Sequence, residues 1–162
     1  MPELKFGMVA LIGRPNAGKS TLLNQILGQK VAIVSDKPQT TRNRILGIHT
    51  ESRGQLVFFD TPGVHKPLHK MNVRMMDHVR SAFEEADVLA LLVDSSESFG
   101  HGDQYVLDMI ARSPLPETKI VLLNKIDLIR KERLLPAMEK YSSFGVFEEI
   151  VPISATTGDG VE

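Results

Sequence analysis

Apolar positions along this chain of 162 residues fall into short continuous runs that alternate with segments of helical spacing. Phe6–Ile12 is a run of the length expected for a strand buried on both faces, and Met8-Val-Ala-Leu-Ile12 is its core. Lys19–Leu27 follows with apolar residues at helical spacing and reads as the first helix. Gln29–Arg44 is polar, holds Pro38 and two threonines, and reads as a long loop. Ile45–Thr50 and Gln55–Phe59 read as strands joined by a turn at Glu51-Ser52-Arg53-Gly54, which makes them an antiparallel hairpin. Pro62–Lys70 is a second loop and Asn72–Ala86 a helix. Val88–Val93 is a strand, Asp103–Ala111 a helix and Lys119–Leu123 a strand. Leu134–Ser142 reads as a helix with Pro136 in its first turn, where a missing N–H is harmless, and Glu149–Ile153 is the last strand.

Strands that alternate with helices predict an α/β fold in three layers: a mostly parallel, six-stranded sheet with one antiparallel hairpin strand and helices on both faces. Such sheets bind ligands beyond the carboxyl ends of their strands. Four polar clusters follow strands here and should share that rim: Gly13–Ser20, Asp60–Gly63, Asn124–Asp127 and Ser154–Thr156.

Composition narrows the field. Hydrophobic residues make up 42% and charged residues 24%, as in an ordinary soluble domain, and the length suits one domain. A net charge of −1 gives no basic footprint for nucleic acid. The absence of cysteine excludes disulfides and thiolate metal sites. The first five residues do not resemble a signal peptide, and no apolar run reaches the length of a membrane span.

The rim clusters carry the chemistry. Gly13-Arg14-Pro15-Asn16-Ala17-Gly18-Lys19-Ser20 fits G-x-x-x-x-G-K-[ST] between a strand and a helix. Glycines let backbone N–H groups converge on phosphates, Lys19 reaches the outer phosphates, and the Ser20 hydroxyl suits Mg²⁺. Thr21 continues that turn. Asp60 ends an apolar strand and is the carboxylate that would hold Mg²⁺ with Ser20. In Asp60-Thr61-Pro62-Gly63, Gly63 lets a backbone N–H approach a γ-phosphate. Asn124-Lys125-Ile126-Asp127 points to guanine. A carboxylate accepts from the two adjacent donors on guanine's edge, whereas adenine presents an acceptor there. Asn124 can tie neighbouring loops, the Lys125 stem can cover the ring plane, and Ala155 is small enough for its N–H to reach the base. Ser154 and Thr156 flank it.

This ordered set resembles the GTPase G domain over essentially the whole chain. The phosphate-loop sequence, Pro38-Gln39-Thr40-Thr41-Arg42 and Asp60-Thr61-Pro62-Gly63 narrow the likeness to the Era branch of bacterial translation-factor-like GTPases. The resemblance implies a GTP/GDP switch that hydrolyses GTP with Mg²⁺ in assembly of the small ribosomal subunit. It implies Lys19, Thr41, Gly63 and Asn16 as catalytic groups, and Ser20, Thr41 and Asp60 at the metal. Thr40 is the other candidate threonine. It also implies a bacterial cytoplasmic protein, a monomer, with peripheral association at the inner membrane. Era proteins reach small-subunit ribosomal RNA and the 30S subunit through a C-terminal KH domain. The present sequence stops at Glu162, before the last G-domain helix and without that domain, so tight RNA binding is not expected of it.

Val64 stands where many small GTPases carry a water-positioning glutamine, and it cannot orient water through its side chain; a hydrophobic residue there resembles GTPases that do without the glutamine, and His65 could take the role, or is simply solvated. Asn16 either ligates a potassium ion, as in related GTPases, or favours a tight loop. His65 and His69 lack a third zinc ligand. Met71, Met75 and Met76 read as packing residues, and Lys66, Lys70, Arg74 and Arg80 as a solvated face or an RNA contact. A P-loop kinase would need an arginine-rich lid and would leave Asn124–Asp127 without a role. A nucleotide-regulated binding module with negligible turnover is the alternative reading.

Overall fold

A computed structural model describes residues 3–14, 17–28, 44–60 and 80–161. Along the chain these form β1 (Lys5–Gly13), α1 (Lys19–Leu27), β2 (Arg44–Glu51) and β3 (Gly54–Asp60). A helical stretch at 80–85 precedes β4 (Val88–Asp94), α2 (His101–Arg112), β5 (Thr118–Asn124) and a 3₁₀ turn at Ile126–Leu128. α3 (Lys131–Ser143) and β6 (Glu149–Pro152) complete the order. Both long loops expected from the sequence, and most of the expected helix from Asn72 to Ala86, lie outside the described residues.

The six strands form one sheet in the order β2-β3-β1-β4-β5-β6. Every neighbouring pair is parallel except β2 and β3. The continuous apolar runs follow from this topology, because the central strands are covered on both sides. In β4, Leu89 and Leu91 pack with Val106, Leu107 and Ile110 of α2 and Tyr141 of α3. Ala90 and Leu92, facing the other way, pack with Leu22 and Leu23 of α1. On the α2 side, the 80–85 stretch adds Ala82 against Ala10 and Phe59. Each fully buried leucine of this kind contributes about 1.5–3 kcal/mol. Gly47 on β2 allows α1 to sit close, since a Cβ there would lie 2.5 Å from Leu27 Cδ1.

One expectation needs correction. α3 starts at Lys131, three residues before the predicted Leu134, so Pro136 lies in the helix interior and not in its first turn. The position is exposed, and water can satisfy the carbonyl that a proline nitrogen cannot serve.

No helix among the described residues is long and apolar enough to cross a membrane.

Candidate functional site

Parallel pairing brings the carboxyl ends of β1, β3, β4 and β5 to one rim. The register sets Leu11 of β1 beside Asp60 of β3, and Asp94 of β4 beside Asn124 of β5. Gly13 ends β1, and the chain turns into α1 through a loop in which Ala17 N–H donates to the Arg14 carbonyl at 3.0 Å. Gly18 begins the helix with φ +98°, in the left-handed region. Only glycine fits there: strain disfavours a side chain, and a Cβ would collide with the Asn124 amide.

Asn124 is the bracket of the site. It is 2% exposed. Its Nδ2 donates to the Ala17 carbonyl at 2.8 Å, and its Oδ1 accepts from Ala155 N–H at 2.9 Å. One side chain therefore joins the phosphate-loop region, the end of β5 and the segment after β6. Buried amides are held this way because an unmet donor or acceptor in such a place costs about 1–3 kcal/mol.

Lys125 follows with φ +65°, the one non-glycine residue in the left-handed region among those described. Its Nζ donates to Asp94 Oδ2 at 2.8 Å. Asp94 also accepts from Ser96 N–H at 2.9 Å. Burial pushes the Asp94 carboxyl up, but the hydrogen bonds from Lys125 and Ser96, with the lysine charge, outweigh it and hold it below the ordinary carboxylate value. Asp127 is exposed, and its Oδ1 accepts from Ser154 Oγ at 2.9 Å. Ser154 is itself fixed, because its N–H donates to the Asp159 carbonyl at 2.9 Å. Ala155 is buried and Thr156 exposed.

At the other end of the rim, Lys19 Nζ lies 2.9 Å from Asp60 Oδ1, with side chains 16% and 20% exposed. This contact carries the β3 carboxylate to the first turn of α1, where Ser20 and Thr21 are exposed. A hydroxyl and a carboxylate are the hard oxygen donors that Mg²⁺ takes together with phosphates and waters. No group of three or more His, Asp or Glu among the described residues could hold a metal by itself. The donor set fits a metal that arrives with a phosphate ligand. Arg14 sends its guanidinium to Asp103 of α2, at 3.6 Å. Pro15, Asn16, Thr40, Thr41, Thr61, Pro62 and Gly63 lie outside the described residues.

The geometry thus joins a phosphate loop to an Asn-Lys-x-Asp turn through one buried amide. The profile of the 50S ribosome-binding GTPase family matches residues 8–125. The chain belongs to that GTPase family. Among solved structures, Era in complex with MgGDPNP and nucleotides 1506–1542 of 16S ribosomal RNA is 40% identical, with TM-score 0.76. That likeness covers 97% of this chain and 53% of Era. Era from Aquifex aeolicus bound to GDP·AlF₄⁻ is 38% identical over 96% of this chain and 53% of its own length, with TM-score 0.72. The FeoB G domain of T. maritima is 23% identical, with TM-score 0.63 over 97% of this chain and 92% of that one, and shares the fold. The chain spans about half the length of the Era proteins it matches, and its architecture is that of an Era-type G domain within this GTPase family.

Sequence reasoning missed Asp94. The signal was present, since Asp94-Ser95-Ser96 follows the apolar run of β4 as the other polar clusters follow theirs.

Proposed function

We propose that this chain binds Mg·GTP across the rim and hydrolyses it to GDP and phosphate, as the switch module of a small-subunit assembly factor of the Era type. The observation that carries the reading is the double hydrogen bond of Asn124, which ties the phosphate loop to both segments that would hold the base. Lys19 would leave Asp60 for the β- and γ-phosphates, and backbone N–H groups of Gly13–Ser20 would cradle them. Ser20 and Asp60 would hold Mg²⁺, with Thr41 as the third expected ligand and Thr40 beside it. The metal neutralises phosphate charge when bound. Asp127 would accept from guanine's two edge donors while Ser154 fixes its carboxylate, and Ala155 and Thr156 would close the base side. Gly63 would contribute its N–H to the γ-phosphate through Asp60-Thr61-Pro62-Gly63.

Such a site works by positioning and by stabilising spreading charge, with little covalent chemistry of its own. Asn16, beside Arg14, Pro15 and Ala17, is the expected potassium ligand; turnover should then be faster in K⁺ than in Na⁺ buffer, and Asn16→Ala should abolish that difference. The Era complex with 16S RNA supports a role on the 30S subunit. Competition between GTP and ATP, followed by single-turnover hydrolysis without partners, tests the reading. GTP preference with release of phosphate supports it. ATP preference would favour a kinase, and GTP binding without turnover would favour a binding module.

A further inference from the structure

β4 ends in parallel register with β5, so Asp94 lies beside Asn124 at the carboxyl rim of the sheet. The Asp94 side chain is 9% exposed, and both carboxylate oxygens are engaged. Oδ2 accepts from Lys125 Nζ at 2.8 Å, and Oδ1 accepts from Ser96 N–H at 2.9 Å and from Ser96 Oγ. Ser95 N–H donates to the Asn124 carbonyl at 3.0 Å, which fixes the loop after β4 to the base of the same turn. The other end of the lysine is held as well. Its backbone occupies the left-handed region, and its carbonyl accepts from Leu128 N–H at 2.9 Å. The methylene stem of Lys125 is therefore anchored at the main chain and at the ammonium.

We infer that Asp94 is a positioning residue for the purine: it stretches Lys125 between two fixed points, so that the stem forms a ready wall for the face of the base. The inference rests on this rim being a guanine-nucleotide site. A lysine stem loses rotamer freedom when a ring packs on it; here that loss is taken when the protein folds, so it does not weaken binding. A carboxylate suits the task because a charge-assisted bond to an ammonium is shorter and stronger than one to a neutral acceptor. The division of labour is specific. Asp127 reads the edge of the base, whereas Asp94, through Lys125, supports its face and is indifferent to edge substituents.

The test is equilibrium binding of GDP, inosine diphosphate (which lacks the exocyclic amine) and ADP to wild type, Asp94→Asn, Lys125→Met and the double variant. Asp94→Asn should weaken GDP and inosine diphosphate by the same factor, about tenfold, and leave their ratio unchanged. Lys125→Met should match it, and the double variant should lose no more than Lys125→Met alone. Asp94→Glu should recover most of the loss. Wild-type affinity in Asp94→Asn, a changed GDP to inosine ratio, or losses that multiply in the double variant would each overturn the inference. If thermal melting shows Asp94→Asn unfolded, Lys125→Met decides alone: GDP affinity equal to wild type overturns the inference, and a tenfold loss supports it. A wild type that fails to favour GDP over ADP instead removes the guanine-site reading, and the role of Asp94 with it.

Discussion

The two ends of the candidate nucleotide rim are built differently. At the base end, Asn124 is buried and spends both amide atoms on protein partners, Asp127 is held by Ser154, and Lys125 is held by Asp94. At the phosphate end, Lys19 forms an ion pair with Asp60, and these are two charged groups that a metal–phosphate ligand would claim for itself. On the proposed reading, one end would keep its contacts when ligand arrives and the other would exchange them. On that reading, guanine selection would thus be preorganised by the fold, whereas phosphate and metal binding would replace an internal partnership. Preorganised polar groups lose little on binding, and exchanged ones make affinity depend on the incoming charge.

Four substitutions or conditions separate the two ends, ranked by their expected effect on unfolding of the nucleotide-free protein. Asn124→Ala leaves the Ala17 carbonyl and the Ala155 N–H buried without their partner, and should cost about 2–5 kcal/mol in denaturant unfolding. Gly18→Ala forces a side chain into the left-handed region and against the Asn124 amide; a loss of about 1–3 kcal/mol is expected. Lys19→Met should alter stability by about 1 kcal/mol or less, because the pair it breaks is partly solvated. Calorimetric titration with GDP should nonetheless show affinity falling at least about tenfold, since charge-assisted contacts to phosphate are lost. A large stability loss with unchanged affinity would erase the contrast between the ends.

The smallest effect concerns pH. The folded-state pKa of Asp94 is depressed, so its contribution is complete above the ordinary carboxylate range and is lost as pH falls through the lower folded value. The stability gap between wild type and Asp94→Asn should stay constant through neutral pH and close in strong acid. A gap that changes between pH 6 and 8, read by thermal melts, would contradict this.

Much of this organisation is legible in the chain. Strands covered on both faces must be apolar throughout, so β1, β4 and β5 stand out as runs without alternation, and parallel pairing follows from the helices between them. The phosphate loop and the Asn-Lys-x-Asp turn are local motifs, and their residues can be named before any geometry is known. Asp94 is different. Its role depends on the register between β4 and β5, a long-range property that puts it beside Lys125 from 31 positions away. Pro136 departs from the local rule for a physical reason too. Helix propensity penalises an interior proline, but α3 tolerates it on an exposed face because tertiary packing of Tyr141 and its neighbours supplies the stability.

The proposed selectivity depends on the Asp127 carboxylate reading a purine edge. Equilibrium binding of GDP and xanthosine diphosphate, with Mg²⁺, to wild type and to Asp127→Asn tests it most directly. Wild type should favour GDP by about 100-fold or more, and the amide of the variant should reverse the preference toward xanthine, whose exocyclic oxygen can accept from it. A variant that keeps its guanine preference unchanged would contradict the account.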